Sequence, residues 1–331
     1  MARRFPILDS VECAENPTEN PTLFYKILGQ GMTHRGFVYT EGLNVLKEPF
    51  NPSGCCQGGG LYFSDLYHIT EFLNFGDLIA RVTLPPDARV YPEPCGGKWK
   101  ADRIILSNIQ PLKDFAFWIA PVFCLQAVRR NGNALQYAKH QTEEICLAAV
   151  QHNGHALQYV KNQTEAICLA AVRNSGFALQ YVKNQTKAIC LAAVQCNVEA
   201  LKYVKEQTPA ICLAAVRQNG VSALEFVKEQ TPEICLAAVR QNGCAIKYVQ
   251  EQTPEIWLAA VRQNGRVIQQ FENPTEEMCL AAVQQHGMNL RLIKNPTVDV
   301  CLAAVQKKKK ALVFVKNPEH VLLVKAALNW T

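Results

Sequence analysis

The sequence predicts an α+β protein in two parts, a small β-rich N-terminal domain followed by an all-α solenoid of nine 22-residue two-helix repeats plus a C-terminal cap. Three observations predict it. The word Ile-Cys-Leu-Ala-Ala-Val, with close variants, recurs nine times. Breakers of the Asn-Gly and Thr-Pro or Asn-Pro kind split almost every copy into two segments. Ahead of Pro111 the texture changes to short β-branched and aromatic runs between turn residues.

The repeat is marked by Cys124, Cys146, Cys168, Cys190, Cys212, Cys235, Cys279 and Cys301, with Trp257 in the same position of its own copy. Successive spacings are 22 residues except for one of 23, and the extra residue lies in the loop Gly220-Val221-Ser222. A fixed period of this kind is the mark of stacked supersecondary units. Each unit reads as two short helices. In one copy Thr231 is the N-cap, Pro232 fills the first helical position where its missing N–H costs nothing, and Glu233 faces the positive helix end. Ile234 to Val239 is apolar nearly all round, as expected of a helix buried between neighbours. Arg240-Gln241-Asn242-Gly243 ends it, with Gly243 expected in the left-handed conformation. Ala245, Ile246, Tyr248 and Val249 form a one-sided stripe on the second helix. Helices this short need stacking to be stable. One long hendecad coiled coil would share the period, since 22 is twice 11, but the turn breakers argue against it. The half unit from Pro318 to Ala327 reads as the cap.

The domains predicted are a flexible leader over 1–20, the β-rich (α+β) domain over 21–113 and the helical array over 114–331. Strand-like runs are Leu23–Leu28, Gly36–Tyr39, Leu61–Phe63, Leu78–Leu84, Arg89–Tyr91 and Arg103–Leu106, with one helix over His68–Phe75. The loop from Asn51 to Gly60 is glycine-rich, but it precedes a strand and lacks the Lys-Ser or Lys-Thr of a phosphate cradle. Cys55, Cys56, His34, His68 and Cys95 could meet at a metal or nucleophilic site, but adjacent cysteines splay apart. No Cys-x-x-Cys spacing is present. No metal, cofactor or catalytic residue is expected.

Composition sets the exclusions. With 49% apolar and 19% charged residues and a mean hydropathy of −0.05, the 331-residue chain is not disordered. The longest uncharged apolar stretch, 115–128, is cut by Pro121 and too short to span a bilayer, so no membrane partner is expected. The N-terminus lacks the apolar region of a secretory signal. Fourteen cysteines would suggest disulfides in a short secreted chain. Here they form a ladder one layer apart, beyond the roughly 4.4–6.8 Å Cα separation that a disulfide needs. They read instead as small core hydrophobes of an intracellular, reducing compartment.

Charge is uneven: residues 1–120 carry 11 Lys+Arg against 13 Asp+Glu, and residues 121–331 carry 23 against 15. Attraction for an acidic partner therefore belongs to the array. One candidate binding ladder is Arg129, Arg173, Arg217, Arg240 and Arg262, alternating with Gln151, Gln195, Gln284 and Gln306. A second ladder, Lys139, Lys161, Lys183, Lys205 and Lys228, runs down the second helices. Lys307, Lys308, Lys309 and Lys310 replace the Asn-Gly turn of the ninth unit and are the candidate contact for phosphate or an acidic partner.

Ala156-Leu157-Gln158-Tyr159-Val160 followed by Leu169-Ala170-Ala171-Val172 resembles an uncharacterised family of short helical repeats, domain of unknown function 4116, over residues 121 to about 317. Leu23-Phe24-Tyr25-Lys26, Gly42-Leu43-Asn44, Pro49-Phe50-Asn51-Pro52 and Gly59-Gly60-Leu61-Tyr62-Phe63-Ser64-Asp65 resemble the module preceding ankyrin-type repeats in proteins of giant DNA viruses of amoebae. That pairing implies a viral protein of host cytoplasm or virion, and no established activity comes with it. A fainter similarity is to ADP-ribosyltransferases, with Tyr62 as the second residue of their triad. However, Tyr25-Lys26 stands where one subclass needs histidine, and Glu93 lies alone between prolines. The reading drawn is a non-enzymatic scaffold for protein–protein interaction. Nucleic-acid or virion-core binding by the basic array is one alternative, and an N-terminal ADP-ribosyltransferase-like enzyme is another.

Overall fold

The structure, a computed structural model, describes residues 23–34, 36–52, 58–94 and 96–330. The expected leader and Cys55, Cys56 and Cys95 lie outside the described residues. Contacts divide the chain into two compact units between Ile145 and Cys146, and the expected 113/114 boundary falls inside the first.

The first unit holds nine strands: β1 (Phe24–Leu28), β2 (Thr33–His34), β3 (Phe37–Val38), β4 (Gly42–Val45), β5 (Leu61–Asp65), β6 (Leu78–Thr83), β7 (Val90–Pro92), β8 (Lys98–Ala101) and β9 (Arg103–Pro111). Seven form an antiparallel sheet in the order β4-β9-β6-β1-β5-β8-β7, and β2 pairs with β3. Leu28, Leu61, Phe63, Val82, Ile104 and Leu106 build the core on it. The six strand-like runs each carry a strand, and the helix expected over His68–Phe75 is a 3₁₀ helix over Ile69–Phe75. Strands β2, β4 and β8 had no sequence signal. β4 opens at Gly42 with φ +88°. β8 contains Lys98 and Lys100, residues depleted in strands. Lys100 is nonetheless fully buried, its ammonium 5.8 Å from the Tyr62 ring centroid and 5.3 Å from that of Tyr91. Lys98 pairs with Glu93 at 3.1 Å.

The repeats' first helices are α1 (Pro121–Arg130), α2 (Glu143–His152), α3 (Glu165–Asn174), α4 (Lys187–Cys196), α5 (Pro209–Gln218), α7 (Pro232–Gln241), α8 (Pro254–Gln263), α9 (Glu276–Gln285) and α10 (Val298–Lys307). Helix α6 (Gly220–Phe226) is the second helix of the fifth repeat, and α11 (Pro318–Ala327) is the cap. In the first unit α1 packs on the sheet side. Tyr25 of β1 meets Phe115 and Phe117 edge-on at 5.3 and 6.5 Å. The Arg130 guanidinium lies 3.5 Å from the Tyr67 ring centroid and bonds Glu71.

Among the repeats of the second unit, Thr164, Thr186, Thr231, Thr253, Thr275 and Thr297 each accept a backbone N–H three residues on, as the capping argument expects. Pro209, Pro232 and Pro254 sit at the first turn. Two features depart from the sequence reading. The first is the second helix, which is 3₁₀ in eight of the nine repeats. Gly243, Ile246 and Val249 are all buried and lie three apart, which suits 3.0 residues per turn. In the fifth repeat the extra residue moves the buried set to Gly220, Ala223, Leu224 and Val227, an α-helical spacing, and α6 forms there.

The second departure is the glycine. None of the described Asn-Gly glycines has positive φ. Gly243 is required for another reason: a Cβ there would stand 2.5 Å from the carbonyl oxygen of Ala260 in the next repeat. The helix instead ends on Asn242, in extended geometry, whose side chain accepts from Cys244 N–H and so caps the 3₁₀ helix that follows.

Consecutive repeats are joined by side-chain amides at two levels. Gln185 donates to the carbonyl of Leu179 in its own 3₁₀ helix at 3.4 Å and to that of Tyr203 in the next at 2.9 Å. Its oxygen accepts from Lys205 N–H at 2.9 Å and from the Cys190 thiol at 3.7 Å. Gln163, Gln207 and Gln230 repeat the pattern. At the other end of the first helices, Gln241 accepts from Gly220 N–H and donates to Arg217 O, and Gln263 does the same for Gly243 and Gln241.

Gln185→Ala is expected to cost about 2–4 kcal/mol, because it leaves buried carbonyl and N–H groups without partners. Gln180→Ala, which removes one exposed contact to Phe177 O, should cost less than about 1 kcal/mol. Urea denaturation followed by circular dichroism measures both.

Candidate interaction face and N-terminal cleft

In most of the first helices the Ile and Cys positions, the second Ala and Val are buried, while Leu and the first Ala stay half-exposed; in α9 the first Ala, Ala281, is buried as well. In α7 the outward residues are Glu233, Leu236, Ala237 and Arg240, at i, i+3, i+4 and i+7, one face of a helix. Successive helices repeat that face. Three consecutive shallow grooves result, of about 790, 700 and 760 Å³, between α5 and α7, α7 and α8, and α8 and α9. The first two are walled by a Leu and an Arg of one repeat together with the Glu, Leu and Ala of the next, and the third by Arg262 together with Glu277, Leu280 and Ala281. The five arginines predicted from sequence are all exposed on this helix position. Arg217, Arg240 and Arg262 line the three grooves. Arg262 pairs with Glu277 at 2.8 Å, and in the first unit Arg129 lies 3.6 Å from Glu144. Exposed pairs like these add little stability. Arg173 has no groove described beside it.

The lysine ladder has a structural use. Lys183 donates to Lys161 O at 3.1 Å and Lys205 to Lys183 O at 3.0 Å, so these ammoniums join neighbouring repeats. Lys307 to Lys310 are all exposed. Lys307 ends α10, Lys308 sits at the turn, and Lys309 lies 5.4 Å from the Trp330 ring centroid. The aromatic positions Tyr181, Tyr203, Phe226 and Tyr248 of the second helices are half-buried. His155 meets Tyr181 edge-on at 5.8 Å, and Phe177 meets Tyr203 at 6.2 Å. Sequence reasoning passed over the outward Leu-Ala pair, although its position directly after the Ile-Cys of most copies was visible.

In the first unit the sheet carries a cleft of about 600 Å³ lined by Tyr25, Lys26, His34, Tyr62, Phe72 and Lys98 among others. Lys26 is almost fully buried and donates to Tyr62 O at 2.7 Å, with its ammonium 3.4 Å from His34 Nδ1. His68 is not in this cleft; its ring nitrogen bonds the Asp65 carboxylate at 2.9 Å. Glu93 is buried against Lys98. No cluster of three metal-ligating side chains is formed among the described residues.

The repeat thiols are electrostatically quiet. Burial pushes the Cys124 thiol up to about 11, and burial likewise raises Cys168, Cys190, Cys212, Cys235, Cys279 and Cys301.

A β-sheet module leading into an array of short helical repeats defines a repeat protein. The family model of a domain of unknown function (DUF4116) matches residues 123–165, 142–187 and 231–273. Uncharacterized protein R869 of Acanthamoeba polyphaga mimivirus is 35% identical over 115 residues, covering 34% of this chain and 83% of that protein. The chain belongs to the family of that mimivirus protein. Putative ankyrin repeat protein R868 of the same virus is 36% identical over 101 residues, 29% of this chain and 50% of its own length. Putative ankyrin repeat protein R229 is 38% identical over 96 residues, 27% and 30% respectively. The chain thus spans half or less of the length of these two relatives. No solved structure matches it. Among the described residues, no helix is long and apolar enough to cross a membrane.

Two results should follow for the thiols. Iodoacetamide at pH 8 should modify the exposed Cys196 and Cys244 in the folded protein, and peptide mass spectrometry should find the buried repeat cysteines labelled only on unfolding. Because the folded thiols titrate above their ordinary value of 9.0, the stability they contribute is complete below that pH. It is lost as pH rises toward about 11, the Cys124 value. Urea midpoints measured from pH 8 to 11 should fall accordingly.

Proposed function

We propose that the protein is a non-enzymatic scaffold of the giant-virus repeat type, working in host cytoplasm or virion, that holds a protein partner along the first-helix face of its array. The observation that carries this reading is the run of three like grooves, each offering a half-exposed Leu, and in two of them a half-exposed Ala, flanked by Arg and Glu. Repeat arrays bind along extended surfaces of this kind. Apolar surface rimmed by charge is the composition of a protein–protein contact. The ankyrin-repeat names of two relatives are consistent with it. Two observations support a non-enzymatic N-terminal unit. Lys26 lines the cleft at the first-strand position where the ADP-ribosyltransferase resemblance calls for histidine, and the Glu93 carboxylate is engaged by Lys98.

The test is retention of amoebal proteins by the tagged full-length chain, with half of the lysate nuclease-treated. Proteins should be retained in both halves, and the variant carrying Leu236→Glu and Leu258→Glu should retain at least about tenfold less, since a groove-filling contact is worth on the order of 1–3 kcal/mol. Equal retention by the variant, or complete loss on nuclease treatment, overturns the reading.

A further inference from the structure

The far end of the array differs from the rest of it in two independent respects. The first is charge: residues 286–331 contain eight Lys+Arg, namely Arg291, Lys294, Lys307 to Lys310, Lys316 and Lys325, against only Asp299 and Glu319. That excess equals the net +6 of the entire chain. None of the four consecutive lysines is within ion-pair distance of a carboxylate among the described residues. The second is apolar exposure. In the second unit the described large hydrophobics that stand exposed are all here: Val313 at 83%, Leu322 at 69% and Leu323 at 53%. Helix α11 buries Val324 and turns Leu322, Leu323 and Ala326 outward.

We infer that this tip binds the surface of an anionic lipid bilayer, as a peripheral contact made by lysines around an apolar patch. The inference goes beyond the proposed scaffold role and uses none of the groove residues. Charge complementarity selects the occupant. Cationic side chains and exposed aliphatic ones at the same end of the array, with Lys309 5.4 Å from the ring centroid of the half-buried Trp330, match the layered chemistry of a bilayer interface. Phosphates there meet the ammoniums, acyl chains take the aliphatic groups, and an indole rests between. Nucleic acid would use the lysines but has no place for Val313, Leu322 and Leu323, since its backbone is anionic and its bases favour aromatic or planar partners. Lysine, a flexible point charge, also suits a fluid array of headgroups better than a fixed, shaped anion. The lack of a span, from which no membrane partner was expected, does not bear on surface contact.

The experiment is vesicle sedimentation with the full chain. The vesicles are phosphatidylcholine alone or phosphatidylcholine with about 30% phosphatidylserine, a content in the range that gives a strongly negative surface. Binding is expected to the anionic vesicles only and to weaken with added salt. Changing Lys307 to Lys310 together to Gln should lower it by roughly several hundredfold, from about fivefold per lysine near the surface. Changing Leu322→Gln and Leu323→Gln together should lower it at least about tenfold, since each buried aliphatic side chain contributes to partitioning. Both sets of positions are exposed, and unchanged circular dichroism checks the fold.

Three outcomes overturn the inference. One is no binding to anionic vesicles at low salt. Another is binding that ignores the leucine changes while a single-stranded oligonucleotide competes for the lysines, which assigns the tip to nucleic acid. The third is concentration-dependent self-association lost in the leucine variant, which assigns the patch to a second copy of the chain.

Discussion

The array depends on side-chain amides that satisfy the backbone at the ends of its helices. A six-residue 3₁₀ helix leaves most of its N–H and C=O groups without internal partners, and repeated eight times this would be a large deficit. Gln185 and its equivalents remove it by closing the C-terminal carbonyls of one 3₁₀ helix and reaching the carbonyl and N–H of the next. Gln241 and its equivalents do the same at the opposite turn. The requirement that each amide reach a fixed point one repeat away holds the period at 22 residues, and a repeat of different length must change its helix type, as α6 does.

The bridges also give the cysteine a reason beyond its volume. In four repeats the thiol donates to the oxygen of the bridging glutamine. Where Trp257 replaces cysteine, the neighbouring Gln252 bonds two carbonyls of its own repeat, those of Ile246 and Val249. Trp257 instead packs on Phe271 of its own repeat at 4.7 Å between centroids. One repeat later Pro274 stands in the glutamine position, and Pro296 follows. Aromatic packing and a proline-fixed turn thus take over from the amide bridge in the last repeats, and the fold continues through the change.

Much of this was legible from the residues. The nine copies located every first helix, and Thr-Pro-Glu located their starts, because a cap and a proline act through local geometry that sequence displays directly. The second helices were misread because Ala245, Ile246, Tyr248 and Val249 fit an α-helical stripe, and only the burial of Gly243 reveals the three-residue period. The glycine itself was assigned to a left-handed turn, a local effect, when the cause is the carbonyl of the next repeat, a tertiary one. In the first unit, β8 was hidden because its buried Lys100 packs its ammonium against the Tyr62 and Tyr91 rings, which no pattern along the chain displays. The arginine positions lie on the outward face of the first helices, and the Leu-Ala pair beside them was credited to the core.

The repeated polar residues divide by what they bond. Gln185, Gln241, Thr231, Asn242 and Lys205 all have main-chain partners, so their recurrence is explained by the stack and says nothing of a ligand. Arg217, Arg240 and Arg262 recur without bonding the main chain through their guanidinium groups. They stand over half-exposed Leu and Ala, side chains that a stack made only for stability would have no cause to leave at the surface in successive repeats. A residue that repeats because the backbone needs it and one that repeats because a surface presents it look alike in sequence. The hydrogen bonds separate them, and what remains after that separation is the outward face of the first helices.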